Sequence, residues 1–88
     1  MPNLWGEPQP WELADLTHAE WMAVLRESIA RWVGAATALE HFYDAGGPIT
    51  HDRLRAMQVE RADAQREHDG VMAGDAGVCA KVWERIRG

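Results

Sequence analysis

Four histidines, one cysteine and fourteen carboxylates are the residues of this 88-residue chain that could bind a metal, attack a substrate or move a proton. His18, His41, His51 and His68 stand far apart, and none pairs with another His or with Cys at a metal-ligand spacing. His41 can share a helix face with Glu40 and Asp44, which is the ordinary arrangement of solvated or capping charges. Cys79 has no histidine near it in sequence and lies beside an apolar helix face. That context fits a buried, inert thiol better than a nucleophile. A single cysteine also excludes an internal disulfide framework and a cysteine-based metal cluster. Asp63 and Glu67 are four apart on one helix, with Glu60 and Arg61 beside them. Solvated ion pairs are expected there rather than paired catalytic carboxylates. Gly46-Gly47-Pro48 reads as a helix stop, not as a phosphate-binding loop. The chain thus carries no self-contained active site.

Tryptophan is the residue out of proportion: five in 88 positions. So small a core seldom encloses that much indole, and surplus Trp is a mark of partner surfaces, where it serves as an anchor. Trp5, Trp11, Trp21 and Trp32 are the candidate partner-binding residues. Charge narrows the partner. A net charge of −5 and a sequence pI near 5.2 argue against nucleic acid and against an anionic membrane surface. No apolar run approaches the roughly 20 residues that span a bilayer. The N-terminus, with Glu7 and its prolines, does not read as a signal peptide. A soluble, cytoplasmic chain of one small domain is expected, with 47% apolar and 26% charged residues as in ordinary globular proteins.

The elements that must position these residues are helices. Residues 1–15 read as an extended arm, because Pro2, Pro8 and Pro10 oppose regular helix and Gly6 adds freedom. Leu4, Trp5 and Trp11 make the arm sticky, so it either packs back on its own helices or embraces another subunit. Residues 16–88 form the helical domain. Leu16, Thr17 and Glu20 give a hydrophobic staple and a capping box. From there Met22, Leu25, Ile29, Trp32, Ala36, Leu39 and Tyr43 make an unbroken stripe at spacings of three and four, widened by Trp21, Val24, Val33 and Phe42. The pattern predicts a helix from Thr17 to Asp44, roughly 40 Å long. A second, highly charged helix is predicted from His51 to His68, held by a narrow seam of Leu54, Met57 and Ala64, with Asp69-Gly70 as its break. Asp75 caps a short last helix over Ala76 to Arg87, whose face is Val78, Val82, Trp83 and Ile86. Nothing alternates with period two between turns, so the fold class is all-α.

Leu16-Thr17-His18-Ala19-Glu20-Trp21 resembles the F-T-x-x-E-W helix start of nitrile hydratase β subunits and their accessory proteins. Ala38-Leu39-Glu40, the pair Phe42 and Tyr43, Gly46-Gly47 and Ile49 to Leu54 are similar, in order and spacing, to the family's A-L-E-x-L and K-G…E-L segments. The similarity covers residues 16 to about 70. It implies the helical half of a β subunit without the β-barrel half, as in three-subunit nitrile hydratases of the toyocamycin type, where β is split into two small chains. In that family cobalt or iron sits in a cysteine claw on the α subunit, and β-subunit arginines hydrogen-bond the oxidised sulfurs. Arg26 and Arg31 are the nearest candidates for such a contact, against a default reading as solvated surface charge. The family's loop between two helices is missing here, so the two helices should be fused into one.

Three readings follow. The chain is a non-catalytic β-like subunit of a nitrile hydratase-type heteromer that turns nitriles into amides, with the metal-bearing α subunit and a further small β-like chain as its partners. Alternatively it is an accessory protein of that family, delivering metal or escorting the α subunit. The third reading is a general helical interaction module or homodimer. No metal is expected on this chain.

Overall fold

The computed structural model describes residues 6–45 and 50–88, so Trp5 and the helix stop read at Gly46-Gly47-Pro48 lie outside the described residues. All regular structure within them is helical: α1 (Pro10–Leu13), α2 (His18–Asp44), α3 (His51–Met72) and α4 (Ala76–Arg87). The all-α expectation holds, as do the one long helix, the charged second helix and the short last one.

Local chemistry sets the boundaries. Thr17 accepts from the Glu20 amide at 3.1 Å while the Glu20 carboxylate accepts from the Thr17 amide at 2.9 Å, closing the capping box at the start of α2. Asp75 caps α4 by accepting from the Val78 amide at 3.1 Å. Within the N-terminal arm, Pro10 does not prevent a turn of helix, because at the first helical position its missing N–H costs nothing. Asp15, at φ 58°, ends that turn in the left-handed position, with Leu16 donating to Trp11 O at 2.8 Å.

Helix α3 runs four residues past the predicted end. Its stop is Gly74, at φ 75°, with Asp75 donating back to Gly70 O at 2.9 Å. Gly70 is not a break but a close-approach position. A Cβ there would sit 2.9 Å from Val78 Cγ2, so its bareness lets α4 pack tightly on α3.

Helices α2 and α3 form an antiparallel hairpin, as shown by the pairings of Trp21 with Val71, Trp32 with His68 and Tyr43 with Gln58. After the Gly74 turn, α4 climbs back between them. The main core gathers at this end: Ala14, Trp21, Val24, Val71, Cys79 and Val82, with Trp11, Leu16, Met22, Leu25, Val78 and Trp83 against it.

The buried side of α2 matches the predicted stripe only in part: Leu39 is enclosed and Met22 and Leu25 pack against the core, but other stripe positions are not. Trp21, Val24, Ser28 and Leu39 are enclosed, whereas Ile29 is 39% exposed, Val33 55% and Tyr43 50%. From Trp21 to Ser28 the fully covered positions lie one residue before Met22, Leu25 and Ile29 of the stripe, because there α2 meets both α3 and α4 and not a single facing helix. Ser28 tolerates full burial because its hydroxyl donates to Leu25 O at 2.9 Å. One edge of the apolar stripe is left outside.

Candidate functional site

Five charged side chains from three helices meet where α4 crosses the hairpin. Glu67 on α3 is the hub. Its two oxygens accept from Arg85 Nη1 and Nη2 at 2.8 and 3.0 Å, and Oε1 also accepts from Arg31 Nη1 at 2.9 Å. Arg31 Nε donates to Glu60 at 2.8 Å, and Arg85 Nε reaches Glu27 at 3.4 Å. The Glu67 side chain is only 11% exposed. The Arg85 hydrogen bond holds its carboxyl below the usual glutamate range, against the opposing effect of burial, and Arg31 does the same for Glu60. Both carboxylates are held ionised by guanidinium contacts, forked at Glu67 and single at Glu60. The cluster joins α2, α3 and α4, and its chemistry is that of a clasp.

The solvated ion pairs expected at Asp63 and Glu67 differ between the two residues: Asp63 pairs with Arg66 at 3.0 Å on the surface, whereas Glu67 turns inward to Arg85 and Arg31. Arg31, a candidate for an oxidised-sulfur contact, has its guanidinium taken up by Glu60 and Glu67 of its own chain. Arg26 is exposed on α2 and forms no ion pair with any described residue. The inward turn of Glu67 has a sequence signal: it stands three residues after Ala64 and four before Val71, on the apolar seam of α3.

The tryptophans divide. Trp21 is 6% exposed and its indole N–H donates to Val71 O at 3.0 Å, so it is a core residue that presents no surface to a partner in this conformation. Trp11 is half-buried against Trp21 and edge-on to His18, at centroid distances of 5.6 and 4.6 Å, so this part of the arm packs back on the chain's own helices. Trp32 is half-buried on His68, with 4.9 Å between rings. His68 Nδ1 is buried with no hydrogen-bond partner, its nearest carboxylate oxygen being on Asp69 at 3.6 Å. Cys79 is enclosed in the core, and burial pushes its thiol pKa up, with Asp75 adding to the shift. Among the described residues, no three His, Cys, Asp or Glu side chains converge as a metal group. No helix there is long and apolar enough to cross a membrane.

The helix lengths leave a groove. Helix α4 has 12 residues against 27 and 22 in α2 and α3. At 1.5 Å per residue it covers roughly 18 Å of a hairpin roughly 35–40 Å long. Its last turn stands level with Glu27 and Glu67, where Arg85 is bound. Beyond it lies a hollow of about 230 Å³ lined by Ala35, Ala38, Ala56 and Met57, with Arg53 and Glu60 on its rim. Alanines on both helices keep the floor low and apolar, and the two rim charges are of opposite sign. A hollow of that size holds a few side chains of an incoming helix.

No family model matches the chain, and neither a curated protein nor a solved structure is found to be similar to it.

Proposed function

We propose that this chain is a binding subunit, and that its partner is the metal-bearing α subunit of a nitrile hydratase-type heteromer. The observation that supports a binding role is the unfilled third-helix position over the Ala35–Ala38–Ala56–Met57 hollow. A two-helix hairpin buries its apolar seam poorly by itself, and a helix from another chain would continue the packing that α4 begins. The choice of heteromer rests on the order of motifs from Leu16 to Gly70. The capping box at Thr17 and Glu20 is consistent with it, whereas the single unbroken α2 departs from the family's two helices joined by a loop. In this reading cobalt or iron and the hydration of nitrile to amide belong to the α subunit. The chain described here supplies the helical wall, since Trp11 of its arm is packed on its own helices.

Co-expression with a cysteine-claw α subunit tests the proposal. Stable co-purification is expected, and Ala56→Arg, which fills the hollow from an exposed position, should abolish it without unfolding the chain. Persistence of this chain in the active enzyme marks a subunit. Its departure once the metal is loaded marks the accessory protein of the alternative reading. Failure to bind the α subunit at all overturns both.

A further inference from the structure

We propose that the outer flank of α2 is a two-fold pairing surface for a second copy of this chain, in which Arg26 of each copy meets Glu40 of the other. The proposal goes beyond the heteromer reading and does not depend on it.

Arg26, Val33 and Glu40 are spaced seven apart, so they form nearly one line along the helix, drifting only about 20° per step. Val33, at the middle, is among the most exposed large apolar residues of the chain, and Ile29 beside it is also exposed. Arg26 and Glu40 are both exposed, and neither forms an ion pair with a described residue. This contrasts with Arg31 and Glu27 on the other side of the same helix, which the clasp engages.

The line is self-complementary in one orientation. With a two-fold axis through Val33, an antiparallel second α2 sets Glu40 against Arg26 at both ends, roughly 10 Å from the axis. A parallel copy would set Arg26 on Arg26 and Glu40 on Glu40, which repel. The same antiparallel register brings Ala30 opposite Ala36 and Ile29 opposite Thr37. Alanines at those positions let two helix backbones approach. Val33, Ala36, Thr37 and Glu40 line a hollow of about 280 Å³ at that level with Trp32 and the exposed Arg61, and its apolar side offers Ile29 of the second copy a place to enter. Charge complementarity thus selects the occupant: the pattern of plus, apolar, minus is satisfied by its own reverse.

The surface is separate from the groove proposed for the α subunit. Ala38 lies five residues beyond Val33, about 140° around the helix. Paired with Glu40, Arg26 also has a role other than a contact to an oxidised sulfur.

Charge exchange followed by sedimentation equilibrium of the full chain tests the pairing. The wild type is expected to dimerise in a concentration-dependent way. Arg26→Glu and Glu40→Arg should each weaken the dimer by about tenfold or more, since each sets like charges face to face at both ends. The double exchange Arg26→Glu/Glu40→Arg should restore it. Both positions are exposed, so helix content should not change, nor should the melting temperature at concentrations low enough for every variant to be monomeric; Ala56→Arg should leave the dimer intact while losing the α subunit. A wild type that stays monomeric at every concentration overturns the proposal. So does a dimer indifferent to the single reversals, or a double exchange that fails to rescue.

Discussion

Arg85 grips Glu67 with both terminal guanidinium nitrogens, at 2.8 and 3.0 Å, and that fork is the polar tie between α4 and the hairpin. Because Glu67 Oε1 also accepts from Arg31 on α2, one carboxylate connects all three long elements. A short helix with few enclosed residues, Cys79 and Val82, is thereby fixed in angle as well as depth.

Replacing Glu67 by Gln should therefore loosen α4. The amide keeps the shape but loses the charge, and its NH2 faces a guanidinium donor. Hydrogen bonds to charged groups are worth about 1.5–3 kcal/mol, and the partial exposure of Arg85 sets the loss near the lower end, about 2 kcal/mol. For a domain of this size the melting temperature should fall by roughly 10 °C, read by circular dichroism. An unchanged melt would mean that the clasp is solvated decoration.

The same clasp should make the fold acid-sensitive. Glu67 and Glu60 have pKa values lowered from the ordinary 4.5, chiefly by the Arg85 and Arg31 hydrogen bonds respectively. At acid pH the unfolded chain then binds more protons than the folded one. The stabilisation is complete above roughly pH 5 and is lost as pH falls through the lowered values. Urea midpoints measured from pH 7 to pH 3 should drop over the acidic part of that range, and the drop should be shallower in Glu67→Gln. Parallel curves for the two proteins would refute the assignment.

Gly70→Ala should destabilise the protein even though Ala is the better helix former. The gain of about 1 kcal/mol in helix propensity is opposed by a Cβ placed 2.9–3.1 Å from three atoms of Val78. Val78 Cβ is among them, so rotamer change alone gives no relief. Trimming the obstacle in Gly70→Ala/Val78→Ala should recover part of the loss. Chemical denaturation of the two variants decides it: a Gly70→Ala more stable than wild type would show that α4 does not pack as described.

Cys79 should be inert while the protein is folded. Its thiol is enclosed in the core and its pKa is raised by burial, so both access and thiolate are lacking. An aromatic disulfide reagent should label it at least about a hundredfold more slowly in buffer than in denaturing urea. Rapid labelling in buffer would place α4 off the hairpin for much of the time.

Much of the architecture was legible in the residue order. The Thr17–Glu20 box, the Asp75 cap and the Leu54–Met57–Ala64 seam depend on neighbours within one helix, and such local rules act before any packing. Gly70 marks where such local rules stop. A glycine that breaks a helix and one that admits a neighbouring helix look alike until Val78 is seen against it.

The sequence by itself determined the local signals of the three longer helices, an acidic surface and a long helix with more apolar girth than one neighbour can cover; the turn of helix at Pro10–Leu13 was not among them. Only the tertiary structure decided which edge of that girth is buried, since Trp21, Val24 and Leu39 are selected by the joint placement of α3 and α4. It alone chose Arg31 and Arg85 as the partners of Glu67, leaving Arg26, Val33 and Glu40 on the outside. The physical reason is that helical periodicity fixes which residues share a face, while the position of that face around the helix axis depends on the partners that pack against it.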